Sequence, residues 1–335
     1  MSNLFAGTGL LAMVTSIDSG VSEIFQISVD IDLDLLDTSS VTDMSGMFAF
    51  SFLPYISNIN KNISSFDTGN VKDMSNLFLY GLPGENSVNI LDISNWNTSS
   101  VTDMSGMFGA NLAQEIILGD IDTSNVTNMK GIFATFSKYL TSLDLNGIST
   151  ENVTDMSYMF YGSSSLTTLD VNHFNTSKVI DMSYMFYGLS SLTTLDVSHF
   201  KTSKVTNMSA MFVGLDMQEL NLSSFDTSNT TNMSGMFQST RLDTTLDLSS
   251  FNTTKVTDLS AMFAFTDIDT VDLSSFDTSS VTNFASMFTT DSSRAGVKNA
   301  IYGPNFVYRN NADVTDMFYY VNTNRPTDPS WEGVL

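Results

Sequence analysis

Residues 192–212 read LTTLDVSHFKTSKVTNMSAMF, and this stretch decides the fold because close copies of it recur through the chain. Consecutive copies are 25 to 30 residues apart. A period of this length is typical of a solenoid, in which each repeat forms one coil stacked on the next. Each copy is marked by the Phe of a Met-Phe motif or a near variant, at Phe48, Phe78, Phe108, Phe133, Phe160, Phe186, Phe212, Phe237, Phe263, Phe288 and Phe318.

The pattern inside one repeat predicts a short strand followed by a short helix. Leu195 and Val197 alternate with polar residues, as in a strand with one buried face. Val205, Met208 and Phe212 are spaced as one face of about two helical turns. We therefore predict an α/β solenoid of the leucine-rich-repeat-like kind, with one short parallel strand and one short helix per coil and about eleven coils.

The two ends of the chain differ from its middle. Residues 1–30 show no repeat, and we interpret them as an N-terminal cap that shields the first coil. Residues 31–288 form the repeat solenoid. Residues 289–335 are interpreted as a degenerate last repeat together with a C-terminal cap.

Composition excludes several classes of partner and site. The chain has 335 residues, 36 acidic against 13 basic side chains and a net charge of −23, which disfavours nucleic acid or an anionic membrane as a partner. It has no Cys, so disulfides, thiolate metal sites and a lipid-bearing Cys are excluded. The longest nearly apolar stretch, Leu4 to Val14, is about half the length that a membrane-spanning helix needs. We expect no membrane insertion.

One family shares the repeat. The pattern L-x-x-L-x-L-x-x-F followed by D-T-S-x-V-T-D-M-S-x-M-F, from about Ile31 to Phe318, resembles the BspA-like leucine-rich-repeat surface proteins of bacteria such as mycoplasmas and lactobacilli, of some protists and of some viruses. The resemblance implies a non-enzymatic, extracellular role in adhesion or recognition. The resemblance therefore predicts an extracellular or surface-exposed protein. No signal peptide, lipid anchor or wall-anchor motif is recognisable, which leaves open whether that surface belongs to a cell or to a virion.

Residues at the same position in successive repeats form columns, and one column is acidic. Neighbouring members of a column are expected about 4.8 Å apart. Two interpretations are open: the acids bind a cation such as calcium, or they form a solvated face with no ligand. The metal candidates are Asp144, Asp170, Asp196, Asp247 and Asp272, and we predict no other cofactor. Asp92, Asp170 and Asp196 are also candidates for contact with a partner.

Two other columns were considered for function. A Thr column from Thr38 to Thr278 could suggest an ice-binding face, but we expect each hydroxyl to bond to local backbone in a turn. Four tyrosines in two neighbouring repeats are predicted to form an aromatic patch for a protein or glycan. They are Tyr158, Tyr161, Tyr184 and Tyr187.

The sequence favours a binding protein over an enzyme. It contains no H-E-x-x-H, G-x-S-x-G or P-loop motif, and it has only two histidines. We therefore hypothesise a non-enzymatic recognition or adhesion protein that binds a protein or glycan on a cell surface through the solenoid face. The alternative is a structural component of a virus or phage particle, such as a decoration, fibre or spike protein, which contacts other virion proteins and could include the receptor-binding part.

Overall fold

The described part of the chain forms a β-solenoid with almost no helix, and its strands are paired in parallel. The predicted parallel-strand solenoid is therefore confirmed. The predicted N-terminal cap, residues 1–30, lies outside the described residues. The computed structural model describes residues 33, 36–49, 63–80, 90–111, 113–135, 139–309, 311–319 and 325–333.

Seven strands and one short helix are present in the described ranges. The strands are β1 (Ile90–Asp92), β2 (Glu115–Ile117), β3 (Asp216–Met217), β4 (Arg241–Leu242), β5 (Leu246–Asp247), β6 (Asp267–Leu273) and β7 (Gly296–Tyr302). Strands β1 and β2 form one parallel pair. The other sheet has the order β3-β4-β6-β5, with β7 also paired to β6. A 3-10 helix spans Pro329–Trp331.

A ladder of isolated parallel bridges connects the coils outside these strands. It joins one Asp or Asn per repeat, beginning at the pair Asp43 and Asp73 and ending at the pair Asn283 and Asp313. The described residues close about eight turns, so the expectation of eleven coils is not confirmed. The first two intervals between marker Phe residues contain the undescribed segments 50–62 and 81–89.

The predicted helix is wrong, and hydrogen bonding between coils is the reason. Residues 205–212 form turns and a bridge residue instead of a helix. The backbone N–H groups of Met208, Ala210 and Phe212 donate to carbonyl oxygens of the next coil at 2.8–3.0 Å. Two N–H groups of this segment close local three-residue turns: that of Val205 to the carbonyl of Thr202 at 2.8 Å, and that of Met211 to the carbonyl of Met208 at 3.3 Å. An α-helix would direct each of these N–H groups to the fourth residue back along the chain.

A column of left-handed residues also rules out the helix. The residue two positions before each marker Phe has φ between +53° and +62°, whereas helical residues have φ near −60°. L-residues other than Gly, Asn and Asp rarely adopt this conformation because their Cβ atom then crowds the following carbonyl. The column consists of Gly46, Asn76, Gly106, Gly131, Tyr158, Tyr184, Ala210, Gly235, Ala261, Ser286 and Asp316.

The core is a continuous stack of the marker phenylalanines. From Phe48 to Phe318 each ring contacts the ring in the next coil, with centroids 5.2–6.0 Å apart. A second aromatic column is buried beside it, as the repeat pattern predicts. Its members are Phe66, Trp96, Phe174, Phe200, Phe225, Phe251 and Phe276.

A tryptophan from the C-terminal segment packs on the last coil. The indole N–H of Trp331 donates to the carbonyl oxygen of Phe306 at 2.9 Å, and its ring stacks on that of Phe306. The carboxylate of Asp328 accepts the backbone N–H of Ser330 and so begins the 3-10 helix. Within the described ranges, no helix has the length and apolar character needed to cross a bilayer.

The buried Thr column bonds adjacent coils together, not the local backbone as expected. Thr176 is 1 % exposed, and its hydroxyl accepts the N–H of Lys201 at 2.7 Å and donates to the carbonyl of the same residue at 3.1 Å. Thr98 binds Asp122 of its next coil in the same two ways, both at 2.9 Å. These hydroxyls are buried and engaged, so the ladder is a structural element of the coil stack.

Replacing Ala210 with Gly tests the left-handed conformation against the helix. Gly adopts a positive φ without the Cβ clash, so we expect A210G to raise the free energy of unfolding by about 0.5–1 kcal/mol. In a helix the same change would lower it by about as much. Thermal melting distinguishes the two, with Ala264→Gly as the control in the corresponding turn of another coil, since φ of Ala264 is not positive. A lower Tm for A210G than for the wild type would contradict the turn geometry.

Replacing Thr176 with Val tests the hydroxyl ladder. Val has nearly the same shape but leaves the N–H and carbonyl of Lys201 without this partner, and we expect a loss of about 2 kcal/mol or more in the free energy of unfolding. Thr206→Val is the matched control, because that exposed hydroxyl makes a 3.3 Å bond to the carbonyl of Ile180. We expect the control to change stability by less than about 0.5 kcal/mol in chemical denaturation. Equal effects of the two variants would refute a structural role for the ladder.

Candidate functional site

A shallow polar groove crosses three consecutive coils on the strand side of the solenoid. Its volume is about 570 Å³. Equivalent positions in the three coils contribute to it in pairs that are two residues apart, so that both side chains lie on one face of the chain. The pairs are Thr168 with Asp170, Thr194 with Asp196, and Glu219 with Asn221. We call this surface the strand-side groove.

The acids in the groove also shape the local backbone. The Oδ1 atom of Asp170 accepts the N–H of Asn172 at 3.0 Å, and that of Asp196 accepts the N–H of Ser198 at 2.9 Å. Hydrogen bonds from the Ser198 side chain and backbone hold the pKa of Asp196 below its ordinary value of 3.8. A carboxylate has about four acceptor sites, so one turn bond leaves capacity for a ligand.

The other metal candidates lie along the same column outside the groove. Asp144, Asp247 and Asp272 each accept the backbone N–H of the residue two positions later, at 2.8–3.0 Å. The parallel register of β5 and β6 places Asp247 beside Asp272. Across the described part of the chain, no group of three or more His or acidic residues is arranged to hold a metal ion. The observed role of the candidate acids is to accept turn hydrogen bonds.

The partner candidates divide into two groups. The structure brings Asp170 and Asp196 together in the strand-side groove. Asp92 lies in β1 opposite Ile117, outside the groove lining, and its Oδ1 atom accepts the N–H of Ser94 at 2.9 Å.

The four predicted tyrosines form one cluster, which we call the tyrosine platform. The rings of Tyr158 and Tyr184 are parallel, with centroids 4.5 Å apart, and those of Tyr161 and Tyr187 lie 4.6 Å apart. The two pairs meet edge to face, with Tyr161 at 60° to Tyr158 and at 65° to Tyr184. All four side chains are half-exposed. Burial, together with the neighbouring tyrosines, raises the pKa of Tyr158 and Tyr161, so both are neutral at pH 7.

The backbone holds two of these tyrosines in the left-handed conformation. Tyr158 and Tyr184 both have φ of +59°, at a position where the other nine repeats have Gly, Ala, Asn, Ser or Asp. A strained backbone conformation of this kind costs about 1 kcal/mol or more for a bulky residue. The ammonium of Lys130 lies over the ring of Tyr158, 5.5 Å from its centroid.

The two histidines, which occupy equivalent positions in adjacent repeats, pack on core phenylalanines. His173 meets Phe174 edge to face at 5.0 Å, and His199 meets Phe200 in the same way. The Nε2 atom of His199 is buried without a hydrogen-bond partner in the described structure.

The sequence pattern identified two acids of the groove, Asp170 and Asp196, but not the residues beside them. Thr168, Thr194 and Glu219 line the groove although they were not singled out. The available signal was the strand period of two, because each precedes a predicted column residue by two positions. The groove itself is formed by residues of three neighbouring coils, so the sequence of a single repeat does not reveal it.

One family profile matches this chain. It is described as "Mycoplasma protein of unknown function, DUF285", and it matches six overlapping segments: 15–144, 80–194, 110–218, 135–244, 181–300 and 216–331. No curated protein and no solved structure matches the chain. The repeated, overlapping matches agree with the repeat period in the sequence.

Replacing Ser198 with Ala tests the turn that sets the charge of the groove. Its hydrogen bonds lower the pKa of Asp196, so we expect S198A to raise that pKa toward 3.8, measured from the carboxyl carbon shift in an NMR titration. Because the pKa of Asp196 is lower in the folded chain than in the unfolded chain, its charged form stabilises the folded state. This contribution is fully present above pH 3.8 and is lost as pH falls through the pKa of the folded chain. The pKa of Asp247, whose carboxylate accepts the N–H of Ser249 in the same kind of turn, is the internal reference and should not change. An unchanged pKa of Asp196 in S198A would contradict this assignment.

Proposed function

The chain belongs to the DUF285 family, and from its strand-side groove we propose that it is a non-enzymatic, surface-exposed recognition protein of the BspA-like type that binds a protein or a glycan. The observation that carries the proposal is the groove itself, a concave surface that spans three coils. Binding sites are commonly concave and use a small number of placed polar groups for specificity.

The lining of the groove supports hydrogen-bonded recognition. Thr168 and Thr194 contribute hydroxyl groups, Asn221 contributes an amide, and Asp170 and Asp196 contribute carboxylates. Hydroxyl and amide groups both donate and accept, whereas carboxylates only accept. Such a set suits a ligand rich in hydroxyl or N–H groups, as glycans and peptide backbones are.

The same lining supports binding without catalysis. Its ionisable groups are the carboxylates of Asp170, Asp196 and Glu219. The pKa of Asp196 is lowered, so this group is charged at neutral pH and is a poor proton donor there. The net charge of −23 supports a neutral or basic partner over nucleic acid or an anionic membrane.

A pair of matched double variants tests the groove. Asp170→Asn with Asp196→Asn removes two acceptor charges, and the turns should persist because Asn221 makes the same turn bond in the next coil. Asp144→Asn with Asp247→Asn makes the same chemical change in the same column outside the groove. We expect the first variant to bind its target at least about tenfold more weakly and the second to bind like the wild type.

Arrays of extracellular host proteins and of glycans provide the measurement, with the Tm of each variant as a check on folding. If the wild type binds nothing on either array, or if both variants lose affinity equally, the groove is not the recognition site. Recovery of the chain from purified virus or phage particles, with no binding on the arrays, would favour the alternative structural role in a particle.

A further inference from the structure

The tyrosine platform is not required by the coil it lies on. Nine other repeats have a small or short polar residue in the left-handed position of the same turn. Tyr158 and Tyr184 are partly buried and do not belong to the buried core. Residues 155–179 and 181–205 match at 22 of 25 positions, so duplication explains why the tyrosines occur twice. Duplication does not explain why a partly exposed aromatic residue occupies this strained backbone position in the first place.

The electrostatics of the platform favour a cation. The face of an aromatic ring is electron-rich and attracts ammonium and guanidinium groups. The platform already demonstrates this within the chain, because the ammonium of Lys130 lies over the ring of Tyr158. Asp155 and Asp181 precede the two left-handed tyrosines by three residues each and add negative charge beside the rings. The whole chain, at −23, attracts a basic partner and repels an acidic one.

The two ends of the stacked pair differ in what the neighbouring coil supplies. In the repeat that precedes Tyr158, the left-handed position is occupied by Gly131. The residue next to this glycine, Lys130, provides the cation that lies over the ring of Tyr158. After Tyr184 the column has Ala210, whose methyl group is too small to cover a ring, and the preceding residue is the buried Ser209. The chain therefore supplies a cation to one end of the stack and a small, uncharged neighbour to the other.

We infer that the tyrosine platform is a docking surface for a basic, arginine-bearing segment of a protein partner, with a guanidinium group on the ring of Tyr184 beside Ala210. Arginine fits better than lysine because its flat guanidinium stacks on an aromatic face and is more weakly hydrated. Tyr and Arg are also among the residues that contribute most to protein interfaces. This inference rests on the proposed recognition role and adds to it the kind of partner and a second contact surface.

The platform is tested by replacing its tyrosines with residues that other repeats have at the same positions, since these residues are compatible with the fold. Tyr184→Gly introduces the residue found at the same position in four other coils, and Tyr187→Ala introduces the residue that follows the marker Phe at Phe48, Phe133 and Phe263. The net charge stays at −23 because the tyrosines are neutral, so general attraction for a basic probe is unchanged. The Tm should stay close to that of the wild type.

The probe is a fluorescein-labelled peptide of alternating Gly and Arg, and its Kd is measured by fluorescence anisotropy at physiological salt. We expect the double variant Tyr184→Gly, Tyr187→Ala to bind it about fivefold more weakly than the wild type. Lys130→Gln should bind it more tightly, because loss of the ammonium over Tyr158 opens that ring face to a second guanidinium of the peptide. Lys204→Gln is the charge-matched control, an exposed lysine in a different part of the repeat.

An equal Kd for the wild type and the double tyrosine variant would overturn the inference, as would an equal gain from Lys130→Gln and Lys204→Gln. So would loss of glycan-array binding in the double variant with peptide binding intact, since this would make the platform a sugar surface. The groove variants separate this result from the proposed function. Asp170→Asn with Asp196→Asn should match Asp144→Asn with Asp247→Asn in peptide affinity, even if only the former loses array binding.

Discussion

Backbone hydrogen bonds from one coil to the next, within the segment D-M-S-x-M-F, are the constraint on which the rest of the solenoid depends. Alternate N–H groups of this segment donate to the following coil, as Met208, Ala210 and Phe212 do. The chain turns between these donors, and the middle donor, Ala210 in this coil, has the positive φ that recurs at the same position in each described repeat. Because these bonds set the separation between coils, the marker phenylalanines come within stacking distance of one another along the length of the solenoid.

The polar columns follow from the same stacking. Each coil makes its tight turns with Asp or Asn side chains that accept a backbone N–H two residues later, as in Asp196 and Asn221. Thr hydroxyls such as that of Thr176 then bond one turn to the next. The large number of Asp residues is therefore mainly a consequence of turn geometry repeated from coil to coil. The net charge therefore reflects the composition of the repeat more than the needs of a binding site.

Variation between coils is where function can be encoded in such a molecule. A feature that recurs from coil to coil belongs to the stack, as the left-handed backbone position and the buried threonines do. Features confined to a few coils are free to serve a partner. The strand-side groove extends over three coils and the tyrosine platform over two. Both combine residues from neighbouring coils, so the spacing between coils determines the geometry that a ligand would meet.

The sequence alone determined the period, the parallel solenoid and the buried face of each repeat, because alternation at Leu195 and Val197 and the recurring Phe are local patterns. It also identified Asp170 and Asp196 of the groove and the four tyrosines. Only the tertiary structure decided that residues 205–212 are turns. Buried residues three apart occur both in a helix and in successive three-residue turns, so spacing cannot separate them. The outcome depends on whether the N–H groups bond within the chain segment or to the next coil, and that partner is about 26 residues away in sequence.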